Sequence, residues 1–322
     1  MNEIMEDMHF FIHSGDHPKL ARAELHALVK SYHPNTRLQN FDERVSLIYG
    51  RLSLQKISSR TAYTKYAGRL LKLSDLDFDI NGYPMNCKKF ACKLINLSDK
   101  HANMESLTSI GKYIKERYPW MRVSLENPDV TVLYIVTNSG SLVGIVDYNS
   151  HRLKQSARSR PYFHPVALEP RLSRVMINLT MCKENDLLLD PFCGTGSILL
   201  DAAAMNIRTI GCDISEKMCY GALANAGMNS AIVNCDALSL PLQLKFVDGI
   251  ATDLPYGRAA STMKRSAKKL LEDFVSLVSE MKGKRCCVMC RKGDEQLFDN
   301  IVEQYDIYEH RNLTRNLMVL CS

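Results

Sequence analysis

The chain has 322 residues, 46% hydrophobic and 24% charged, enough for two packed cores and too apolar for disorder to be its organising state. It lacks any run of ~18 uncharged apolar residues that could span a membrane, and its first residues, with Glu3, Glu6 and Asp7, lack the basic and apolar regions of a signal peptide, so a soluble cytoplasmic protein is expected. The net charge of +6 is uneven: residues 1–160 carry 23 Lys and Arg against 16 Asp and Glu (+7), and residues 161–322 carry 18 against 19 (−1), which puts any polyanion-binding surface in the N-terminal half, with a partnerless solvated surface as the alternative.

Met8 to Ser14 is a short apolar run expected as a strand. A helix opens near Pro18 with Ala21, Leu25, Leu28 and Val29 on one face. Val45 to Tyr49 again has strand character. Ser59 to Lys72 is expected as a helix, because Tyr63, Tyr66, Leu70 and Leu73 recur at helical spacing. Phe90 to Leu97 follows as a strand and Met104 to Tyr118 as a helix stopped by Pro119. The runs Arg122 to Leu125, Val130 to Val136 and Leu142 to Tyr148 are separated by the turn sequences Asn127-Pro128-Asp129 and Asn138-Ser139-Gly140, a hairpin pattern. Residues 1–150 therefore predict an α+β region with an antiparallel sheet.

Residues 151–165 are expected to be a basic linker. Within them Arg152, Lys154, Arg158 and Arg160 occur without an acid, which fits a segment lying on phosphates and equally fits a solvated hinge. Residues 166–322 then alternate helix and strand. An amphipathic helix (Leu172, Val175, Met176, Leu179) leads into Leu187 to Asp190, and six further strand candidates follow at Thr209 to Asp213, Ala231 to Cys235, Val247 to Asp253, Arg285 to Cys290, Asp306 to Glu309 and Leu317 to Cys321. Seven strands so arranged predict an α/β fold with a doubly wound, mostly parallel sheet whose ligands lie at the carboxyl ends of the strands. The last two strands are too close for a helical crossover and should pair antiparallel.

Asp190-Pro191-Phe192-Cys193-Gly194-Thr195-Gly196 falls where the first strand of that sheet turns into a helix. Gly194 and Gly196 let the backbone pass close to a ligand. Position 199 is Leu, so the dinucleotide fingerprint fails, and no Gly-Lys-Ser/Thr follows to make a phosphate loop. Asp213 ends the next strand, about 20 residues on, where an acid can accept both hydroxyls of a ribose. Asp236 ends the third and suits an adenine amino group. Any one of these acids could be a simple capping residue. Eleven cysteines, an odd number without a disulfide framework, fit a reducing compartment. Cys286-Cys287-Val288-Met289-Cys290 contains a CxxC, but no second CxxC or histidine pair completes a metal site, so core cysteines are expected and no metal.

Asp253-Leu254-Pro255-Tyr256 begins 63 residues after Asp190. The amino nitrogen of a nucleobase is a poor nucleophile, because its lone pair is delocalised into the ring. Hydrogen bonds from its N–H groups to Asp253 and to the carbonyl of Leu254 or Pro255 would localise that pair, while Tyr256 would stack on the ring. A paired base cannot reach such a pocket, so the nucleotide must be flipped out. The bland reading is a strand-ending turn. Arg258, Lys264 and Arg265 follow directly and would hold flanking phosphates, or else be solvated.

These motifs resemble class I S-adenosylmethionine-dependent methyltransferases acting on amino nitrogens. Arg160-Pro-Tyr-Phe-His-Pro165 and Asp253-Leu-Pro-Tyr-Gly-Arg258 resemble, more narrowly, the archaeal tRNA guanine-N2 methyltransferases that modify guanosine 10. Ser124-Leu-Glu-Asn-Pro-Asp129 is similar to the end of a THUMP RNA-binding domain. The resemblance implies a Rossmann-like methyltransferase domain holding S-adenosyl-L-methionine, with Phe163 and His164 closing the cofactor site, and an N-terminal THUMP-containing region that grips tRNA. It also implies that a small zinc-containing activator subunit could be required, as in eukaryotic relatives. Leu254 departs from the motif, which has a second proline there. The carbonyl survives the change, so activity is expected to survive, with less rigidity. Ribosomal RNA or DNA amino-group methylation, and an RNA-binding protein with a vestigial methyltransferase fold, are the competing readings.

Overall fold

The computed structural model describes residues 7–73, 87–150, 161–162, 168–227, 229–255, 267–311 and 313–321. The chain divides into two compact units: Met1–Arg22, His33–Ser59 and Tyr63–Arg152 form the first, and Ala23–Tyr32, Arg60–Ala62 and Leu153–Ser322 the second.

The first unit is built on one sheet of strands β1 (Met8–His13), β2 (Arg37–Asp42), β3 (Val45–Tyr49), β4 (Thr64–Leu73), β5 (Lys89–Asn96), β6 (Arg122–Val123), β7 (Val130–Thr137) and β8 (Gly140–Asn149), in the order β2-β3-β1-β4-β8-β7-β5-β6. Helices α1 (Pro18–Tyr32), α2 (Leu54–Arg60) and α3 (Met104–Arg117) connect them. On α3, Ile110 and Ile114 are buried in a cluster with Phe90, Val130, Val132 and Ile145, the apolar stripe that holds the helix to the sheet.

Two expectations for this unit are overturned. The helix expected over Ser59 to Lys72 is instead the end of α2 followed by β4, which pairs antiparallel with both β1 and β8. The helical spacing of the tyrosines and leucines coincides with a strand whose interior residue, Gly68, lies so close to β8 that a Cβ would meet the Ile145 carbonyl oxygen and the Phe10 ring. Strand pairing on both edges outweighs the local periodicity. The sheet is also mixed, not antiparallel. β6 and β7 lie on opposite sides of β5 and both run parallel to it, so Asn127-Pro128-Asp129 is a crossing and not a hairpin turn. The Asp129 carboxylate pins the start of β5 by accepting from the Lys88 and Lys89 N–H groups, both at 2.8 Å. The second hairpin stands: β7 and β8 pair antiparallel about Asn138-Ser139, with Gly140 at φ 141°.

The second unit contains β9 (Leu187–Asp190), β10 (Arg208–Asp213), β11 (Ser230–Asn234), β12 (Gly249–Asp253), β13 (Arg285–Arg291), β14 (Ile301–His310) and β15 (Leu313–Cys321), in the order β11-β10-β9-β12-β13-β15-β14. The five strands β9 to β13 are parallel, and β15 is inserted antiparallel between β13 and β14. Helices α4 (Pro170–Leu179), α5 (Ser197–Ala203), α6 (Glu216–Ala226) and α7 (Ala267–Ser279) accompany it. This is the expected doubly wound sheet of seven strands. The order reverses beside β9, so the crevice between the carboxyl ends of β9 and β12 is the switch point where such sheets take ligands. The core there joins Leu189, Ile250, Leu254, Phe274, Val288 and Met318, with Cys286 and Cys290 among them, and Cys287, the other cysteine of the CxxC, is also buried. A buried polar knot completes the unit. Glu24 accepts from Asn178 Nδ2 (2.7 Å) and the Ala62 N–H (2.8 Å), and the Arg60 guanidinium donates to Asn178 Oδ1 (3.0 Å), the Cys182 carbonyl (2.9 Å) and the Tyr32 hydroxyl (2.7 Å).

Candidate active site

The site is assembled from the carboxyl ends of β9, β10 and β12 and the turn that follows each. Asp190, the last residue of β9, is 2% exposed. Its Oδ1 accepts from the Phe192 N–H (3.2 Å) and from the Thr252 hydroxyl (2.7 Å) on β12, which ties the two sides of the switch point together. Burial pushes the Asp190 carboxyl up to about 7, against the pull of those two hydrogen bonds and with smaller upward pushes from Asp253 and Asp213.

Beyond Asp190 the loop is held down on β10. Pro191 and Cys193 are buried, and the Cys193 N–H donates to the Cys212 carbonyl at 2.8 Å. Phe192 packs edge-on against Phe274 of α7, with ring centroids 5.6 Å apart. Gly194 and Gly196 have φ of 52° and 78°, the left-handed region that only glycine enters freely. A Cβ on Gly194 would meet nothing within 4 Å, so that face of the loop is open, whereas one on Gly196 would come 3.2 Å from the Cα of Ala222 on α6. The Gly194 N–H donates to Asp213 Oδ2 (3.0 Å) and the Ser215 N–H to Asp213 Oδ1 (2.8 Å). These bonds hold the carboxylate of β10 against the loop, while burial raises its pKa. Asp236 stands two residues beyond the end of β11, not on the strand itself, and caps its own turn by accepting from the Leu238 N–H at 3.0 Å. Acids on three neighbouring turns, beside backbone with no side chain in the way, make a cradle suited to a ligand carrying hydroxyls and positive charge.

Asp253 ends β12 on the other side of the switch point, its side chain 23% exposed. Leu254 is 2% exposed, and its N–H donates to the Met289 carbonyl of β13 at 2.9 Å. A proline could not make that bond. The departure from the motif therefore replaces ring rigidity with one more rung of the sheet and a core contact. Pro255 follows, half-buried. Tyr256, Phe163, His164, and the basic residues Arg152, Lys154, Arg158, Arg160, Arg258, Lys264 and Arg265 lie outside the described residues, as does most of the 151–165 linker.

Three residues in the site were missed from sequence. Arg315 of β15 is 1% exposed and forks onto Asp253: Nη1 donates to Oδ2 at 2.9 Å and Nη2 to Oδ1. A charged residue inside the apolar run Leu313 to Cys321 was the available signal. Thr252 gave none. Asn225 of α6 donates from Nδ2 to the carbonyls of Tyr162 (2.9 Å) and Thr195 (2.8 Å) and accepts from the Tyr162 N–H (2.9 Å). It thereby fastens Tyr162, whose ring lies over Gly221, to the cofactor-type loop. Among the described residues no group of three or more His, Cys, Asp or Glu is arranged to hold a metal ion, and no helix is long and apolar enough to cross a membrane.

Comparison with known proteins gives a consistent picture. The family described as RMKL-like, methyltransferase domain matches residues 157–314, and one described as DNA methylase matches residues 64–225. The chain is 31% identical to a tRNA (guanine(10)-N2)-dimethyltransferase of Methanothermobacter thermautotrophicus, over 95% of this chain and 97% of that protein. It is 27% identical to the protein of the same name in Methanocaldococcus jannaschii, over 96% and 98%. It is also 30% identical to the human U6 snRNA (guanine-N(2))-methyltransferase THUMPD2, over 53% of this chain and 33% of that one. The crystal structure of TrmN from Thermus thermophilus shares the fold with a TM-score of 0.54 at 19% identity, covering 97% of this chain and 99% of that one.

Proposed function

The chain belongs to the tRNA (guanine(10)-N2)-dimethyltransferase family, and on that premise we propose that it transfers methyl groups from S-adenosylmethionine to the exocyclic N2 of a guanosine in cytoplasmic tRNA, at position 10. When bound, the cofactor supplies a methyl group on a sulfonium, an electrophile that needs only an aligned lone pair. The acid-lined cradle fits it: Asp213 and Asp236 offer acceptors to a ribose and an adenine, the buried Asp190 braces the start of the loop through Phe192 and Thr252, and Pro191, Cys193, Gly194 and Gly196 shape the floor. Phe163 and His164 close the cradle in this reading.

The observation that carries the proposal is Asp253, partly exposed at the end of β12 across the switch point from Asp190. Asp253 accepts an N–H of the flipped guanine amino group, and the carbonyl of Leu254 or Pro255 accepts the other. Tyr256 stacks on the ring. Held by these acceptors, N2 would present its lone pair to the methyl group that the cofactor supplies, and would give up one amino proton on transfer. Arg152, Lys154, Arg158, Arg160, Arg258, Lys264 and Arg265, with the basic N-terminal half, supply the phosphate contacts that hold tRNA.

Replacement of Asp253 by Ala is expected to abolish methyl transfer while tRNA binding persists, read by mass spectrometry of tRNA nucleosides after reaction. Unchanged turnover would refute the role of Asp253. In a deletion strain, loss of N2-methylated guanosine from ribosomal RNA alone, with tRNA intact, would refute the substrate. A pure chain that is inactive until a small zinc-containing subunit is added would place the activator among its partners.

A further inference from the structure

We propose that Arg315 is a positioning residue for methyl transfer: it fixes both oxygens of Asp253, so that the carboxylate meets the amino group of the target base in one orientation. The inference rests on the reading of Asp253 as the amino-group acceptor.

The geometry singles out this arginine. β15 lies two strands from β12, yet Arg315 crosses β13 to reach it. In the sheet register Asp253 stands opposite Met289, whereas Arg315 stands opposite Arg291, two residues further along β13. The guanidinium therefore approaches Asp253 from beyond the carboxyl end of β12, the side on which the crevice opens. The strand around it is core: Leu317 and Met318 are 0% exposed, and Arg315 itself is among the largest fully buried side chains. Burying a cation there is costly unless carboxylates answer it. One is hydrogen-bonded to it and a second stands at ion-pair distance. Asp253 takes the bidentate fork, and Glu309 Oε1 lies 3.8 Å from Nη1.

The fork defines what Asp253 can do. A carboxylate on a single-bonded tether turns about its last torsion, which is soft. Two parallel N–H···O bonds from a planar guanidinium remove that freedom more completely than a lysine ammonium, which is a point charge, could. Each oxygen accepts one N–H from Arg315 and keeps acceptor capacity for an N–H of the base. Meanwhile the Leu254 N–H bond to Met289 fixes the main chain at the same place. Side chain and backbone acceptors for the amino group are thus set by two different strands, β15 and β13. An acceptor already held on both oxygens meets the amino group in one orientation.

The test uses the full chain with tRNA substrate and four variants: Arg315→Gln, Arg315→Lys, Asp253→Asn, and Arg315→Gln combined with Asp253→Asn. Arg315→Gln is expected to lower kcat about 100-fold, the scale of an ångström's misplacement of a reacting group, with KM for tRNA and the cofactor Kd held within about twofold. Arg315→Lys should recover about tenfold of that loss. In the Asp253→Asn background, Arg315→Gln should cost no more than about threefold further, because its effect passes through the carboxylate. Multiplying losses, or a loss confined to KM and Kd, would mark Arg315 as merely structural and overturn the inference. A kcat within about threefold of the parent in Arg315→Gln would do the same. Arg315→Lys keeps the buried charge and guards against misfolding of the glutamine variant; a folded lysine variant with full kcat also overturns the inference. An unsubstituted chain that methylates no tRNA guanosine would overturn the reading of Asp253 along with it, which separates the two failures.

Discussion

Replacing Leu254 with proline, the residue that the resembling motif carries there, is expected to weaken this protein. The Leu254 N–H is lost as a donor, and the Met289 carbonyl, on a residue 0% exposed, loses its 2.9 Å partner. Leaving a buried acceptor unmade costs about 1–3 kcal/mol. Leu254 also packs in the core with Leu189, Ile250 and Val288, and a proline ring fills only part of that volume. Full truncation of such a leucine costs roughly 2–5 kcal/mol, so partial filling loses about 1–2 kcal/mol. Against this, proline restricts the unfolded chain and returns about 0.4–1 kcal/mol. The net loss is about 1–4.5 kcal/mol. Urea unfolding of the two proteins, followed by far-UV circular dichroism, gives the difference. A variant as stable as the parent, or more stable, would show that the rung to Met289 is dispensable and that the reasoning is wrong. Because the carbonyl at position 254 is retained, methyl transfer measured well below the melting transition should stay within about tenfold of the parent.

Asp190 makes stability depend on pH. Its folded-state pKa of about 7 lies above the ordinary 3.8, so the native protein holds this proton more tightly than the unfolded chain does. Stability should therefore fall as pH rises from about 4 to 7, by up to about 1.4 kcal/mol per pH unit, and level off above that. Asp190→Asn keeps an Oδ1 for Phe192 and Thr252 and should flatten the profile; urea midpoints from pH 4.5 to 8 decide it, and an unchanged slope would remove Asp190 as the cause. Asn225→Ala strips three hydrogen bonds from Tyr162 and Thr195 and should cost about 2–3 kcal/mol in melting experiments. It should also weaken binding of the cofactor in calorimetry, and full affinity would separate the Tyr162 anchor from the loop.

The second unit was legible because its apolar runs are short, bounded, and end in acids: Asp190, Asp213 and Asp253 each close a strand whose period and length admit one reading. The first unit was less so. Gly68 sits in a run that matches a helix locally, and only the approach of β8 to within contact of its Cα explains why it is a strand. Nothing in Arg122 to Leu125 says which neighbour it will pair with, because the parallel pairing with β5 is a property of the whole sheet. The same distance hid the partner of Asp253. Arg315 lies 62 residues further on, and the bond between them exists only after β13 and β15 have paired.

The insertion of β15 between β13 and β14 also has a kinetic meaning. β14 reaches the rest of the sheet through β15, so the antiparallel strand must dock before that edge can close. A collapsed intermediate with the parallel strands β9 to β13 already formed would own the cradle of acids and the Asp253 turn, yet would lack the guanidinium that crosses from β15. Such a species could bind small ligands before it could use them. Closure of the sheet edge and competence of the site are one event in this architecture, because the pairing of β15 with β13 is what brings the guanidinium to the carboxylate.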